Sequence, residues 1–432
     1  MDTALTLGKK IREIRKAKGL SQDNLANGIK CSASAISRIE GGEADCGDEI
    51  LAAIKKYMEI EKAPMLEYEL TLFKNRLIIW CDMITDYRMS DAHTIRNELS
   101  IIEQLPFERD LAALYAMIDT RLLFYEHKIP AAMEKLKAAE PLLDNASEEV
   151  HYLFHRNSGF AYTAANNWDK ALSHYLKCLD YSNGEIKPDA SIWSNIGTCY
   201  AHLGKPIRAI SYLEQAIMKY GNNHAHIGVA YTNLVLTNCY TAIGELNIAK
   251  KHAKATLLQT QSLGDKITSG WILFIRSVIC LKEGNPAEGL EFIEQASPCF
   301  QGHEPSYLRS FTAYPDLLVN KALCLLEIKN LTECKNVIEQ GKLLAEGDEK
   351  LAIIFEALNK LMTLRDTCST KYIENIAIPY LRKIDISSKE TVLDLCDRLE
   401  AHYRKRGANK KADAIAVIYR DVHKEIICGV SS

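Results

Sequence analysis

The feature that most constrains this chain is a recurring spacing. Trp193, Ile196, Gly197, Tyr200, Gly204, Ala209 and Ala216 set large, small and turn-forming residues at fixed intervals. The same markers appear upstream at Gly159, Tyr162, Ala171, Tyr175 and Cys178. They reappear downstream at Leu236, Tyr240, Gly244 and Ala249, then at Gly284, Pro286 and Gly289. Gly159 and Gly197 are 38 residues apart; Tyr200 and Tyr240, like Gly244 and Gly284, are 40 apart. Small residues let paired helices approach, a glycine permits the turn between them, and aromatics fill the gaps. One such pair cannot bury its own apolar face, so the pairs must stack. Weaker copies lie at Leu114–Ala139, Leu318–Ile338 and Leu399–Tyr419, and a divergent pair around Trp80–Leu105 starts the array. About eight helix pairs are expected. The tryptophans Trp80, Trp168, Trp193 and Trp271 fall at repeat-like positions and read as core.

Composition agrees with helices. The chain has 22 glycines and 11 prolines in 432 residues, fewer than the ~12% of an average protein, which argues against a turn-rich all-β fold. Apolar residues make up 47% and charged residues 25%, enough for a core in a soluble chain. Thirteen cysteines without a CxxC pair fit reduced thiols better than a disulfide framework or a zinc ribbon. No apolar run approaches the ~18 residues of a membrane span, and the early Gly8-Lys9-Lys10-Ile11-Arg12 leaves no signal-peptide core. The expectation is a cytoplasmic protein without membrane contact. No HExxH, GxSxG, Walker A or GxGxxG motif is present, and Pro305 breaks any zinc-helix reading of His303-Glu304. His224 and His226 lack an acidic or cysteine partner and read as loop residues. No catalytic residue, metal or cofactor is therefore expected, and the chain does not read as an enzyme.

The first forty residues differ from the rest. Lys9, Lys10, Arg12, Arg15, Lys16, Lys18, Lys30 and Arg38 outweigh Asp2, Glu13, Asp23 and Glu40, in a chain whose net charge is −3. A basic end on an acidic body is a first sign of phosphate contact. Leu7, Ile11 and Ile14 recur at helical spacing, and Gly19 ends that helix. Ser21 is placed to cap a second helix, in which Leu25 and Ala26 face inward and which ends near Gly28-Ile29. Ser32 is placed to cap a third, Ala33–Glu40, with Ile36 and Ile39 on its apolar side. Gly41-Gly42 stops it, and Ile50, Leu51, Ile54 and Met58 mark a fourth helix. Two short helices across a tight turn make a helix-turn-helix.

The stretch Gly19-Leu20-Ser21-Gln22-Asp23-Asn24-Leu25-Ala26, with Ser32-Ala33-Ser34-Ala35-Ile36-Ser37-Arg38-Ile39-Glu40-Gly41-Gly42, resembles the Xre/Cro/phage-repressor helix-turn-helix. The spacing around Trp193 resembles the tetratricopeptide signature. Together they resemble the RRNPP family of peptide-responsive quorum-sensing regulators. The fold implied is all-α: a DNA-binding domain over residues 1–63, then a right-handed superhelical tetratricopeptide-like array over 64–432 for peptide binding and dimerisation. The boundary falls near Pro64.

That resemblance assigns Gln22, Ser32, Ala33, Ser34, Ser37 and Arg38 to DNA. Gln22 would meet a phosphate at a helix start. Ala33, Ser34 and Arg38 match base-reading positions, and a guanidinium can bond guanine O6 and N7 together. Arg15 and Glu40 match a buried ion pair of the same fold. The recognition helix carries few long polar side chains, so DNA shape contributes to readout. Glu43, Asp45, Asp48 and Glu49 follow it, where basic residues are commoner. In the array, Asn157 and Asn195 share a repeat position, and Asn238 lies three positions further along its helix. An amide donates and accepts, so such a ladder can hold an extended peptide; otherwise these residues solvate a helix or bond neighbouring turns. Arg156 and Phe160 would add a carboxylate clamp and an apolar pocket. The partners implied are double-stranded DNA with an inverted-repeat operator, a short signalling peptide and a second copy of the chain. The alternative is a protein-interaction module that sequesters or inhibits a partner such as a response regulator. Arg404, Lys405, Arg406, Lys410 and Lys411 form a basic cluster that reads as the solvated turn of the last pair, or otherwise as a dimer or partner contact.

Overall fold

The computed structural model describes residues 2–60, 67–85, 88–104, 108–144, 146–181, 188–220, 226–300, 313–362, 367–383 and 386–428. Every regular element among them is helical. Pro64 and the expected boundary beside it lie outside the described residues, as do His224 and His303-Glu304-Pro305. By packing, the chain divides into two compact units: Met1–Ala161 with Asp180–Lys187, and Tyr162–Leu179 with Pro188–Ser432.

The first unit opens with four short helices, α1 (Asp2–Ala17), α2 (Gln22–Ile29), α3 (Ala33–Glu40) and α4 (Asp48–Tyr57). Both expected caps form. Ser21 accepts from the Asn24 amide at 3.0 Å, and Ser32 from the Ala35 amide at 3.2 Å, each satisfying an orphan N–H of a first turn. Ile11, Ile14, Leu25, Ala26, Ile36, Ile39, Ile54 and Met58 close into one core. Gly8 makes the α1–α3 crossing possible, since a Cβ there would stand 1.9 Å from the Ile39 carbonyl oxygen. Asp48 and Glu49 open α4, where a carboxylate complements the positive end of the helix. That gives the acidic stretch after α3 a local structural reason.

The same unit continues with α5 (Glu67–Thr85), α6 (Met89–Leu99), α7 (Arg109–Tyr125), α8 (Ile129–Ala139) and most of α9 (Glu148–Ala164). Trp80 is fully buried in its core. Leu105, the far end of the divergent first pair, lies outside the described residues.

The second unit holds α10 (Trp168–Asp180), α11 (Ala190–His202), α12 (Pro206–Tyr220), α13 (His226–Ala242), α14 (Leu246–Leu263), α15 (Lys266–Lys282) and α16 (Pro286–Ala296). It continues with α17 (Ala313–Glu327), α18 (Leu331–Leu344), α19 (Glu349–Met362), α20 (Thr367–Tyr372), α21 (Ile378–Leu381), α22 (Ile386–Lys405) and α23 (Asn409–Cys428). The periodic residues act as their spacing implies. Ala171, Ala209, Ala216 and Ala249 are fully buried. A Cβ on Gly197 would sit 2.6 Å from Leu213, so only glycine lets α11 and α12 close to this distance. Tyr162 stacks on His174, Tyr200 on Tyr212 and Tyr240 on His252, at 5.4, 5.5 and 5.6 Å, the same pair in three successive repeats.

Two readings need correction. His226 is the first residue of α13 rather than a loop residue. The pair built on Glu349–Leu381 carries none of the expected markers. Its second helix is interrupted by a π turn at Ile373–Ala377 and restarts with Pro379 at its first turn, which removes a backbone donor. A turn glycine is therefore an incomplete guide to the pairs. The basic cluster is, as expected, the exposed turn between α22 and α23: Arg404 pairs with Glu400 and Asp413, and Lys411 lies over the Tyr403 ring. The described cysteines are free thiols.

Candidate functional site

The recognition surface is built on a buried ion pair. Arg15 Nε donates to Glu40 Oε1 at 2.6 Å and its Nη2 to Oε2 at 2.8 Å. A third donor, Arg15 Nη1, reaches the Leu20 carbonyl at 2.7 Å, tying α1 to the turn before α2. Arg15 is 6% and Glu40 3% exposed. Hydrogen bonding to Glu40 raises the Arg15 guanidinium above its ordinary value against the opposing cost of burial. Two charges at this depth are tolerated because their geometry is bidentate and a further guanidinium donor is spent on the Leu20 carbonyl.

That scaffold presents α3 outward. Ser32, Ser34, Ser37 and Arg38 are exposed. The Arg38 guanidinium has no protein partner among the described residues, so its donors remain available. Ser32 Oγ is occupied by its cap and by a 3.0 Å contact with Ser34 Oγ; it positions Ser34 more than it reaches outward itself. Ala33 is half-buried against the core, and offers only part of its methyl to a partner. Gln22 departs from the simple expectation. Its Nε2 donates to Glu40 Oε2 at 2.8 Å, and the residue is half-buried at the start of α2. The glutamine thereby joins the two helices as well as lining the surface.

In the array, the five candidates separate. Asn157 is 3% exposed, and its Nδ2 donates to the Met117 carbonyl at 2.8 Å. Its amide nitrogen holds α9 to α7. Phe160, 45% exposed, sits 4.9 Å from the Phe124 ring at 53°. Arg156 is half-buried on the same helix. In the second unit, Asn195 is half-buried on α11 and Asn238 exposed on α13. Buried polar ties like that of Asn157 recur there with other residue types: Ser194 with Thr232 at 2.8 Å, and Asn320 Nδ2 to Ser277 Oγ at 2.5 Å. Sequence reading missed Phe124, because its contact to Phe160 crosses between repeats and leaves no local mark. Among the described residues, no group of three or more His, Cys, Asp or Glu side chains could hold a metal ion, and no helix is long and apolar enough to cross a membrane.

The helix-turn-helix domain family matches residues 6–58, and the tetratricopeptide repeat family matches 190–218. Among solved structures, the apo form of the quorum sensor NprR from B. thuringiensis superposes with a TM-score of 0.64 at 17% identity, over 81% of this chain and 98% of that one. NprR with its cognate peptide NprX gives 0.61 at 18%, over 81% and 99%. A Rap protein complexed with competence and sporulation factor gives 0.65 at 14%, over 82% and 98%. The chain has the fold of the RRNPP sensors. No curated protein matches it by sequence. At these identities the likeness is one of fold alone, while the order of a helix-turn-helix at 6–58 before a tetratricopeptide repeat at 190–218 rests on the family models.

Proposed function

We propose that this chain is a sequence-specific DNA-binding transcriptional regulator whose DNA binding is controlled by a short peptide held on its repeat domain. The observation that carries the reading is the exposed Arg38, Ser34 and Ser37 face of α3 on an intact scaffold of Arg15, Glu40 and Gln22. A head kept only as a protein contact has no need of outward-facing donors on that helix. Arg38 reads a base edge, the two serines reach bases or phosphates, and Gln22 and the α2 backbone meet the flanking phosphate. Two heads from a homodimer read an inverted repeat.

On the repeat domain, Arg156, Phe160, Asn195 and Asn238 contact the peptide, while Asn157 backs that surface from beneath through Met117. NprR, a quorum sensor solved with a cognate peptide, has this fold. The reading as a cytoplasmic protein goes with it. The second reading is a partner-sequestering module. It is favoured by the superposition with a Rap protein, and with aspartyl phosphate phosphatase F from Bacillus subtilis, TM-score 0.54 at 14% identity over 86% of this chain and 98% of that one.

The test is to offer the full-length protein a pool of randomised duplexes at near-physiological salt, alongside a cell extract. Retained duplexes that share an inverted repeat support the regulator. Duplexes retained without a common sequence, with a stoichiometric protein partner captured from the extract, favour the second reading.

A further inference from the structure

Helix α7 touches the head at one end and the candidate peptide residues at the other, all inside the first unit. At its start, Lys10 Nζ on α1 donates to both Oε1 and Oε2 of Glu108, each at 2.8 Å. Glu108 stands at the N-terminal boundary of the helix without a side-chain capping bond, and its side chain is 4% exposed, that of Lys10 16%. The next two residues fasten the same turn elsewhere. Arg109 Nη2 donates to the Pro141 carbonyl at 2.7 Å, and Asp110 Oδ1 accepts from the Ser147 amide at 2.7 Å, at the entry to α9. In mid-helix, the Met117 carbonyl accepts from Asn157. Near its end, Phe124 meets Phe160. Thus α7 and α9 are tied at the beginning, middle and end of α7, while the head is tied to α7 at its first turn. Burial raises the Glu13 carboxyl of α1, with Asp110 adding and Arg109, Lys9 and Lys10 opposing. This agrees with a charged face of α1 seated over that turn.

We propose that the Lys10–Glu108 clasp and helix α7 form the link through which occupancy of the α9 surface is read at the head. The inference rests on the peptide reading for its biological meaning, but the link itself is a property of the chain. Packed helices joined at several points shift together instead of deforming singly. A ligand that displaces Arg156 or Phe160 therefore moves α7, and the clasp is a charged contact of the head at the first turn of that helix. A buried pair is a sensitive reporter, because separating its partners leaves a carboxylate uncompensated away from water. Opening the clasp also returns Lys10 to solvent and adds one free cation to the head.

The test uses hydrogen exchange on the full-length chain, without DNA or peptide, in wild type and in Phe160→Ala, Lys10→Met and Lys10→Arg. Coupling is reciprocal. Phe160→Ala is expected to speed exchange in α1 about tenfold, and Lys10→Met to speed it similarly in α9. Lys10→Arg should restore the wild-type pattern, and α11 and α12 should keep it throughout. Changes confined to each substituted helix overturn the proposal, as does uniform acceleration along the whole chain. If Lys10→Met does not fold, Phe160→Ala decides alone, since that residue is 45% exposed and lies outside the buried core. A failed peptide search leaves this result standing, so the two readings fail separately.

Discussion

The head and the repeat array use buried polar groups in opposite ways. In the head, structure and recognition are divided between residues: Arg15 and Glu40 are sealed inside, while Ser34, Ser37 and Arg38 face out. Gln22 and Ser32 do both, one bonded to Glu40 and the other capping α3. In the array, the same repeat position is asked for different things. Asn157 is spent on a helix-to-helix bond, whereas Asn195, in the equivalent place, remains half-buried and available. A small domain with one surface to present can assign each position one task. A stacked array has an interface at every repeat, so each inner-helix position is either a tie or a contact according to what its neighbour offers.

The comparison can be broken most forcefully at the ion pair. Glu40→Ala should destabilise the head by about 3–5 kcal/mol, because Arg15 is left charged and buried without its partner. Chemical denaturation followed by amide signals from residues 8–58 would show it. A loss under about 1 kcal/mol would mean that the pair is not the scaffold.

A second, smaller effect belongs to the array, where a half-buried carboxyl is less well matched. Burial pushes the Asp394 carboxyl up to about 6, with Arg398 and Lys282 opposing and Glu390 and Asp397 adding. The folded value lies above the unfolded one, so folding favours the protonated acid. Its stabilising contribution is complete below about pH 4 and is lost as pH rises through about 6. Asp394→Asn should therefore stabilise the chain by about 1–3 kcal/mol at pH 7 and by little at pH 4. Melting curves at the two pH values test this; an equal shift at both would point to packing instead.

The third prediction compares the two asparagines. Asn157→Ala should cost about 1–3 kcal/mol of stability, since the Met117 carbonyl loses its donor in a buried place. Asn195→Ala should stay within about 0.5 kcal/mol and weaken peptide binding. If the two cost the same stability, the division between tie and contact fails.

How far the chain was legible in sequence follows the same division. The four head helices, both serine caps and the Arg15–Glu40 pair were readable because the motif is local: each signal lies within a few residues of what it caps or pairs. The periodic tyrosines, alanines and Gly197 were readable because one spacing recurs. The pair at Glu349–Leu381 was not, since the sequence between its helices has no glycine and its second helix carries a π turn and a proline. Neither was the contact of Phe124 with Phe160, the commitment of Asn157 to Met117, nor the clasp of Lys10 on Glu108. Each joins residues far apart in the chain, and nothing beside either partner announces the other.

The central claim is that α3 reads DNA through an outward-facing arginine held by a buried scaffold. The most direct measurement is to sequence the duplexes retained from a randomised pool by the wild-type protein and by Arg38→Ala. The account predicts a wild-type inverted repeat in which Arg38→Ala relaxes one symmetry-related base position, at a cost of ~1–3 kcal/mol there, with stability within about 0.5 kcal/mol of wild type. The same enriched sequence and affinity from both proteins, or no enriched sequence from either, would contradict it.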